Sequence, residues 1–224
     1  MTEPFTWGDL LPLLKGVVLT LELCVITATA GAVLGFGIGL GETSRIKVLR
    51  AACIAYVNVV RGIPLLVLIF AMYFGVPLAF PGFSPGGFVT AFIALTVWAA
   101  AYMAEIFRGS IEALPRGQLD AADSLGLSYW QRLWHVIFPQ MLKIAFPSGL
   151  GFMLVMVKES SLISVIGYVE LTKAGGIVSN LTGNPLLTYS IFGLFYFVVC
   201  YGVSRLGRRF ELRDARRAAQ WVAP

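Results

Sequence analysis

Four adjacent side chains, Lys158-Glu-Ser-Ser161, set two opposite charges and two hydroxyls between the apolar runs Met153–Val157 and Leu162–Ile166. An ionisable group in apolar surroundings is costly unless it meets a partner or water. The chemistry that fits is non-covalent recognition of a zwitterionic solute, with Glu159 towards an ammonium group and Ser160 or Ser161 towards a carboxylate. A second reading makes Lys158 and Glu159 markers of the outer membrane surface, although the apolar run after them argues against a plain surface loop. Asn58-Val-Val-Arg-Gly-Ile-Pro64 poses the same question. Arg61, with Asn58 in the same motif, belongs either to the cytoplasmic mouth of a span or to a polar internal surface. Glu22, inside the first apolar stretch, is read as reaching the nearby outer interface.

Bond-making chemistry finds little support. The chain has no His-Glu-x-x-His string and no Gly-x-Ser-x-Gly elbow. His135 is the single histidine, which leaves no His-based metal site. Cys24, Cys53 and Cys200 fall one to a span without paired spacing, as small apolar packing residues would. A Gly-x-x-x-x-Gly-Lys-Ser/Thr phosphate loop is missing as well, so this chain supplies no ATP site of its own.

The elements that must hold these residues lie in lipid. Of 224 residues 58% are hydrophobic and only 13% charged, about half the charge of a soluble domain. The mean hydropathy is +0.80. Apolar stretches of about 20 residues predict five membrane spans: Val17–Leu40, Ala51–Leu78, Gly87–Phe107, Met141–Val157 and Leu186–Leu206. Pro64 predicts a kink in the second or an interfacial lead-in helix. Gly31, Gly35 and Gly39 recur every fourth residue, a face on which another helix can approach closely.

Thirteen of the seventeen basic residues fall on one proposed side, among them Arg45, Arg108, Arg132 and Arg205. The positive-inside rule then places the C-terminus in the cytoplasm and, with five spans, the N-terminus outside. The net charge of +5 therefore reflects topology, not nucleic acid binding. The predicted organisation is an extracytoplasmic segment over 1–16, a five-helix domain over 17–209 with a cytoplasmic hairpin at 115–139, and a cytoplasmic tail over 210–224. Met1–Asp9 lacks the basic start and the cleavage site of a removed signal peptide.

The hairpin is the longest polar interruption. Gln118–Leu125 predicts a short helix, with Asp120 and Asp123 towards the positive end of its dipole. Gly126 suits a left-handed helix stop. Ser128 and Gln131 have capping-box spacing for a second helix. Along that helix Trp130, Leu133, Trp134 and Ile137 make one apolar face, and Pro139 ends it. Ala121 and Ala122 give the knob a small leading edge that could enter a cleft in another protein.

Asp120-Ala-Ala, then Gly126, Val136, Phe138 and Pro139, in that order and spacing, resemble the EAA loop of permease subunits from bacterial ABC importers. Ala104-Glu-Ile-Phe-Arg-Gly109, Arg61-Gly-Ile-Pro64 and Lys158-Glu-Ser-Ser-Leu162 are similar to the polar amino acid branch. Asp120, Val136 and Phe138 stand where that family usually has Glu, Ile and Leu. The resemblance implies an all-α integral membrane protein of the bacterial inner membrane with a type I importer permease core. It implies a second permease subunit, identical or similar, and two cytoplasmic ATPase subunits that bind ATP and Mg and receive the hairpins through Asp120, Ala121, Ala122, Gly126 and Pro139. An extracytoplasmic binding protein would deliver a polar amino acid to a path lined around Glu159, Ser160 and Ser161.

Overall fold

A computed structural model describes residues 5–209 in full, and every element among them is helical. The expectation for the tail after 209 lies outside the described residues. A short turn at Trp7–Asp9, held by Thr6 donating from N and Oγ1 to Asp9 at 2.7 and 2.8 Å, leads into α1, Leu10–Glu42. The first helix thus starts before Val17. At 1.5 Å per residue it is longer than the hydrocarbon thickness of about 30 Å.

The second span is two helices, α2 (Lys47–Gly62) and α3 (Leu65–Ala79), bent by 103°. The cause is local. Pro64 lacks an N–H and forces Ile63 out of the helical region, here to φ −98° and ψ 130°. The expected kink is present, and it is a full break. Among the described residues four helices are long and apolar enough to cross a membrane, and five segments when that bent pair is counted as one span.

Helix α4, Gly87–Glu112, is the buried centre. Its Ala91, Ala94, Leu95, Trp98, Ala99 and Ala101 form the core with Leu23 of α1, Ile69 of α3 and Met156 further on. The glycine face of α1 lies against it. A Cβ added at Gly31 would sit 2.5 Å from that of Ala99, at Gly35 2.8 Å from the Ala100 carbonyl oxygen, and at Gly39 2.9 Å from that of Ala104. Only residues without side chains allow this approach. Close packing then fixes the register at which the two helices end.

The hairpin begins with α5, Arg116–Ser124. Gly126, at φ +68°, reverses the chain, and Ser128 caps the second arm: its hydroxyl accepts from Gln131 N at 3.4 Å while Ser128 N donates to Gln131 Oε1 at 2.9 Å. Both turn expectations hold. Pro139, however, does not stop this arm. It runs on as one continuous helix, α6, Tyr129–Ile166, containing the fourth span. Leu133–Ile137 is a π turn directly before the proline. The wider turn moves the preceding carbonyls away from the ring and absorbs the missing N–H donor, so the helix continues. It also shifts the side-chain register: Leu133 and Ile137 are buried, Trp134 packs on Phe36 and Phe138 with centroids 6.2 and 5.0 Å apart, and Trp130 is 64% exposed.

After Ile166 a left-handed Gly167 leads to α7, Leu171–Thr182, and Gly183, also left-handed, to α8, Pro185–Arg209. Glu170 caps α7, accepting from Thr172 N at 2.9 Å and Lys173 N at 2.7 Å. Thr20 of α1 accepts from Leu171 N at 3.1 Å, where Gly16 lets α1 touch the Leu171 backbone.

Candidate functional site

Two polar concentrations occupy opposite ends of the bundle. The larger is a cavity of about 770 Å³ between the ends of α1 and α4, the side of α2 and the root of the hairpin. Asn58 and Arg61 line it, as do Glu42, Glu105, Arg108, Glu112 and, from α5, Arg116 and Leu119. Arg61 is held in place from α4. Its guanidinium lies 5.2 Å from the centroid of the Tyr102 ring and 3.6 Å from Glu105. Tyr56, one and a half turns earlier, donates to the Val97 carbonyl at 2.8 Å. The end of α2 is therefore fastened to α4 immediately before the break at Pro64.

Arg108 is the hub of this cluster. It donates to Glu105 through Nη2 and to both oxygens of Glu112 through Nη1, at 2.8 and 2.9 Å. Its Nε stands 3.9 Å from Oε2 of Glu42, a side chain only 3% exposed whose Oε2 has no hydrogen-bond partner among the described residues. The sequence offered a partial signal. Glu105 and Arg108 belong to the Ala104–Gly109 motif, but Glu42 lies just past the predicted first span and belongs to no motif.

The second concentration lies around the far end of α6. Glu159 closes the α-helical part, and Ser160–Ile166 tightens into a 3₁₀ segment. Ser160 is fully buried and donates to the Val157 carbonyl at 2.8 Å, so its hydroxyl is committed to its own backbone. Ser161 and Lys158 line a smaller hollow of about 290 Å³ with Thr172, Phe192 and Tyr196. Glu159 is half-buried and lines neither cavity. Asn58 and Arg61 are thus separated from Lys158–Ser161 within one subunit. Glu22 is exposed on α1.

Behind the hollow is a group the sequence reading missed. Glu170 is fully buried. Besides the two N–H groups of α7 it accepts from the Tyr196 hydroxyl at 2.8 Å, and Tyr196 is 2.9 Å from Thr172 Oγ1. Burial pushes the Glu170 carboxyl above its ordinary value, and the hydrogen bonds from Thr172, Lys173 and Tyr196 pull it back. Its partner Tyr196 lies 26 positions on, so no local spacing marks Glu170 out.

On the hairpin Asp120 and Ala121 are exposed, but Ala122 is turned inward at 2% exposure. Its small size serves the knob's own packing, not the leading edge. Neither acid is at the positive end of α5: Asp120 sits mid-helix, and Asp123 lies in the last turn and pairs with Arg132 across the turn. The tip presents Leu125, Tyr129 and Trp130 instead, at 79, 53 and 64% exposure. No group of three or more His, Cys, Asp or Glu suited to a metal occurs among the described residues.

Apolar helices long enough to cross a membrane, packed as a bundle with a projecting polar hairpin, define an integral membrane protein of the helical class. Comparison with known proteins agrees: the chain belongs to the family described as the binding-protein-dependent transport system inner membrane component, whose model matches residues 31–213. It is 35% identical over 187 residues to the probable amino-acid ABC transporter permease protein YckA of Bacillus subtilis (strain 168), covering 84% of this chain and 82% of the relative. To the glutamine transport system permease protein GlnP of Escherichia coli (strain K12) it is 30% identical over 213 residues, 93% and 97% of the two chains. Among solved structures, the crystal structure of an amino acid ABC transporter with histidines superposes with a TM-score of 0.83 at 35% identity, covering 90% of this chain and 94% of that one. The chain is a multi-pass inner-membrane permease subunit, not the catalytic component of its transport system.

Proposed function

We propose that this subunit forms half of the translocation path of an ATP-driven importer for polar amino acids and carries the force of ATP hydrolysis into the membrane. The observation that carries this reading is the continuity of α6 from Tyr129 to Ile166. A knob built on an unbroken spanning helix cannot move without moving the span. The hairpin docks in a cleft of a cytoplasmic ATPase subunit, which binds ATP and Mg. The C-terminus accordingly faces the cytoplasm, in agreement with the distribution of Lys and Arg.

Two such permeases, alike or similar, and two ATPases make up the pump, and an extracytoplasmic binding protein hands over the amino acid. The names of the relatives and the charged recess around Arg61 and Arg108 support this substrate class. Asn58 and Arg61 in the larger recess and Lys158 and Ser161 in the smaller one face the path. Closure of the ATPase pair draws the hairpins together and alternates the access of the path between the two sides.

The test replaces Gly126 by Val. At φ +68° a β-branched residue is strained, so the knob must distort. Loss of co-purifying ATPase, or of transport-coupled hydrolysis, is the expected result. Wild-type assembly together with wild-type coupled hydrolysis would refute the coupling role.

A further inference from the structure

Five charged side chains from three helices meet where the hairpin joins the bundle, and their hydrogen bonds are incomplete in one specific place. Arg108 has spent Nη1 and Nη2 on Glu112 and Glu105. A guanidinium offers five N–H groups in a fixed fork, and the Nε–H of Arg108 has no hydrogen-bond acceptor among the described residues. It stands 3.9 Å from Glu42 Oε2, which is buried and has no hydrogen-bond partner among the described residues. Hydrogen-bond length is about 2.9 Å, so a displacement of about 1 Å would satisfy both groups.

The backbone does not easily supply that displacement, because Gly39 already holds α1 against the Ala104 carbonyl and Arg108 N. A swing of the Arg108 side chain does. Such a swing takes the guanidinium away from Glu112, the last residue of α4 before the chain enters the hairpin. It also loosens Glu105, whose other partner is Arg61 at the break of the second span. One side chain therefore stands between the hairpin, the end of α1 and the hinge at Pro64.

We infer that Arg108 is a positioning residue with two stations. It holds Glu112 and Glu105 in the state seen here and turns to Glu42 when the hairpin is pulled, which frees Glu105 to draw on Arg61 and move α3. This inference rests on the proposed coupling role of the hairpin. Glu42 is the second station, and a neutral amide there offers no charge to attract the guanidinium.

The experiment uses the assembled importer, with ATPase and binding protein, in liposomes. Spin labels at Val48, at the start of α2, and Val67, exposed on α3, report the separation of the two arms of the break with and without a non-hydrolysable ATP analogue. In the parent protein the distance distribution shifts on nucleotide binding. In Glu42→Gln that shift is lost, and amino acid moved per ATP falls by about fivefold or more, the lower end of ordinary coupling strengths. A structural defect alone would lower both transport and hydrolysis without removing the shift. Should Glu42→Gln fail to assemble, Glu112→Gln takes its place: it releases the first station, so the shifted population must appear before nucleotide is added. A parental shift with a ratio within about twofold in Glu42→Gln, or no nucleotide-free shift in Glu112→Gln, overturns the latch while leaving hairpin coupling intact. No shift in the parent itself overturns the latch, whereas hairpin coupling stands or falls with the Gly126→Val assembly and hydrolysis result.

Discussion

Gly35 of α1 lies so close to Ala100 of α4 that a Cβ at Gly35 would come within 2.8 Å of the Ala100 carbonyl oxygen. Gly37, two residues on, has nothing within 4 Å. This contrast within one helix sets the first prediction. Gly35→Val should destabilise the purified subunit by about 1–3 kcal/mol, the usual cost of overpacking. Gly37→Ala should change stability by less than about 0.5 kcal/mol. Thermal unfolding in detergent reads both, and equal melting temperatures for the two variants would dissolve the argument for a close-packed seam.

Glu170 satisfies two N–H groups of α7 and the Tyr196 hydroxyl from a fully buried position. Glu170→Ala removes the cap and strands those donors, at a cost of about 1–2 kcal/mol. The loss should be visible as a lower melting temperature, with α7 exchanging its amide hydrogens faster than α4. Uniform exchange across the two helices would be evidence against a local capping role.

The same carboxyl makes stability depend on pH with a definite sign. Its folded value is raised above the ordinary 4.5, because burial outweighs its hydrogen bonds. The folded state therefore binds the proton more tightly than the unfolded one. Stability falls as pH rises from the ordinary value through the raised one, and the penalty is complete above it. Glu170→Gln has no such proton to lose, so its melting temperature should fall less steeply than the parent's across that window. Parallel pH profiles would contradict this account.

Ser128 and Gln131 close a reciprocal cap at the start of the hairpin's second arm. Ser128→Ala should cost about 1 kcal/mol, felt locally. Limited proteolysis should then cut first between Leu125 and Ser128, with the spans still intact. If the nick appears elsewhere, the cap is not what secures the knob.

Trp130 projects from the hairpin tip at 64% exposure and packs its ring on Tyr129, with centroids 5.5 Å apart. Under the proposed docking it is an anchor for the ATPase cleft, and large aromatic anchors can carry about 2 kcal/mol or more. Trp130→Ala should therefore weaken ATPase binding by roughly 30-fold and leave the melting temperature of the isolated permease in place. Retained affinity, measured by titrating ATPase onto the immobilised permease, would remove Trp130 from the interface.

The residues themselves determined a good deal of this protein. A long apolar run has few ways to exist in lipid, so the spans could be counted directly. Gly126, and Ser128 with Gln131, act through their own backbone and nearest neighbours, and such short-range signals survive folding unchanged. The glycine face on α1 was legible too, although nothing local said that α4 would fill it.

What tertiary structure decided depended on distant partners or on small departures from ideal helix. Pro139 reads as a terminator until the π turn before it makes room. Ala122 turns inward because the hairpin arms close on each other, and Asp123 finds Arg132 across that turn. Glu42 and Arg108 are 66 positions apart in the chain, yet they end side by side. No periodicity encodes that meeting: it comes from two helices whose crossing is fixed several turns away by the absence of side chains at Gly31, Gly35 and Gly39.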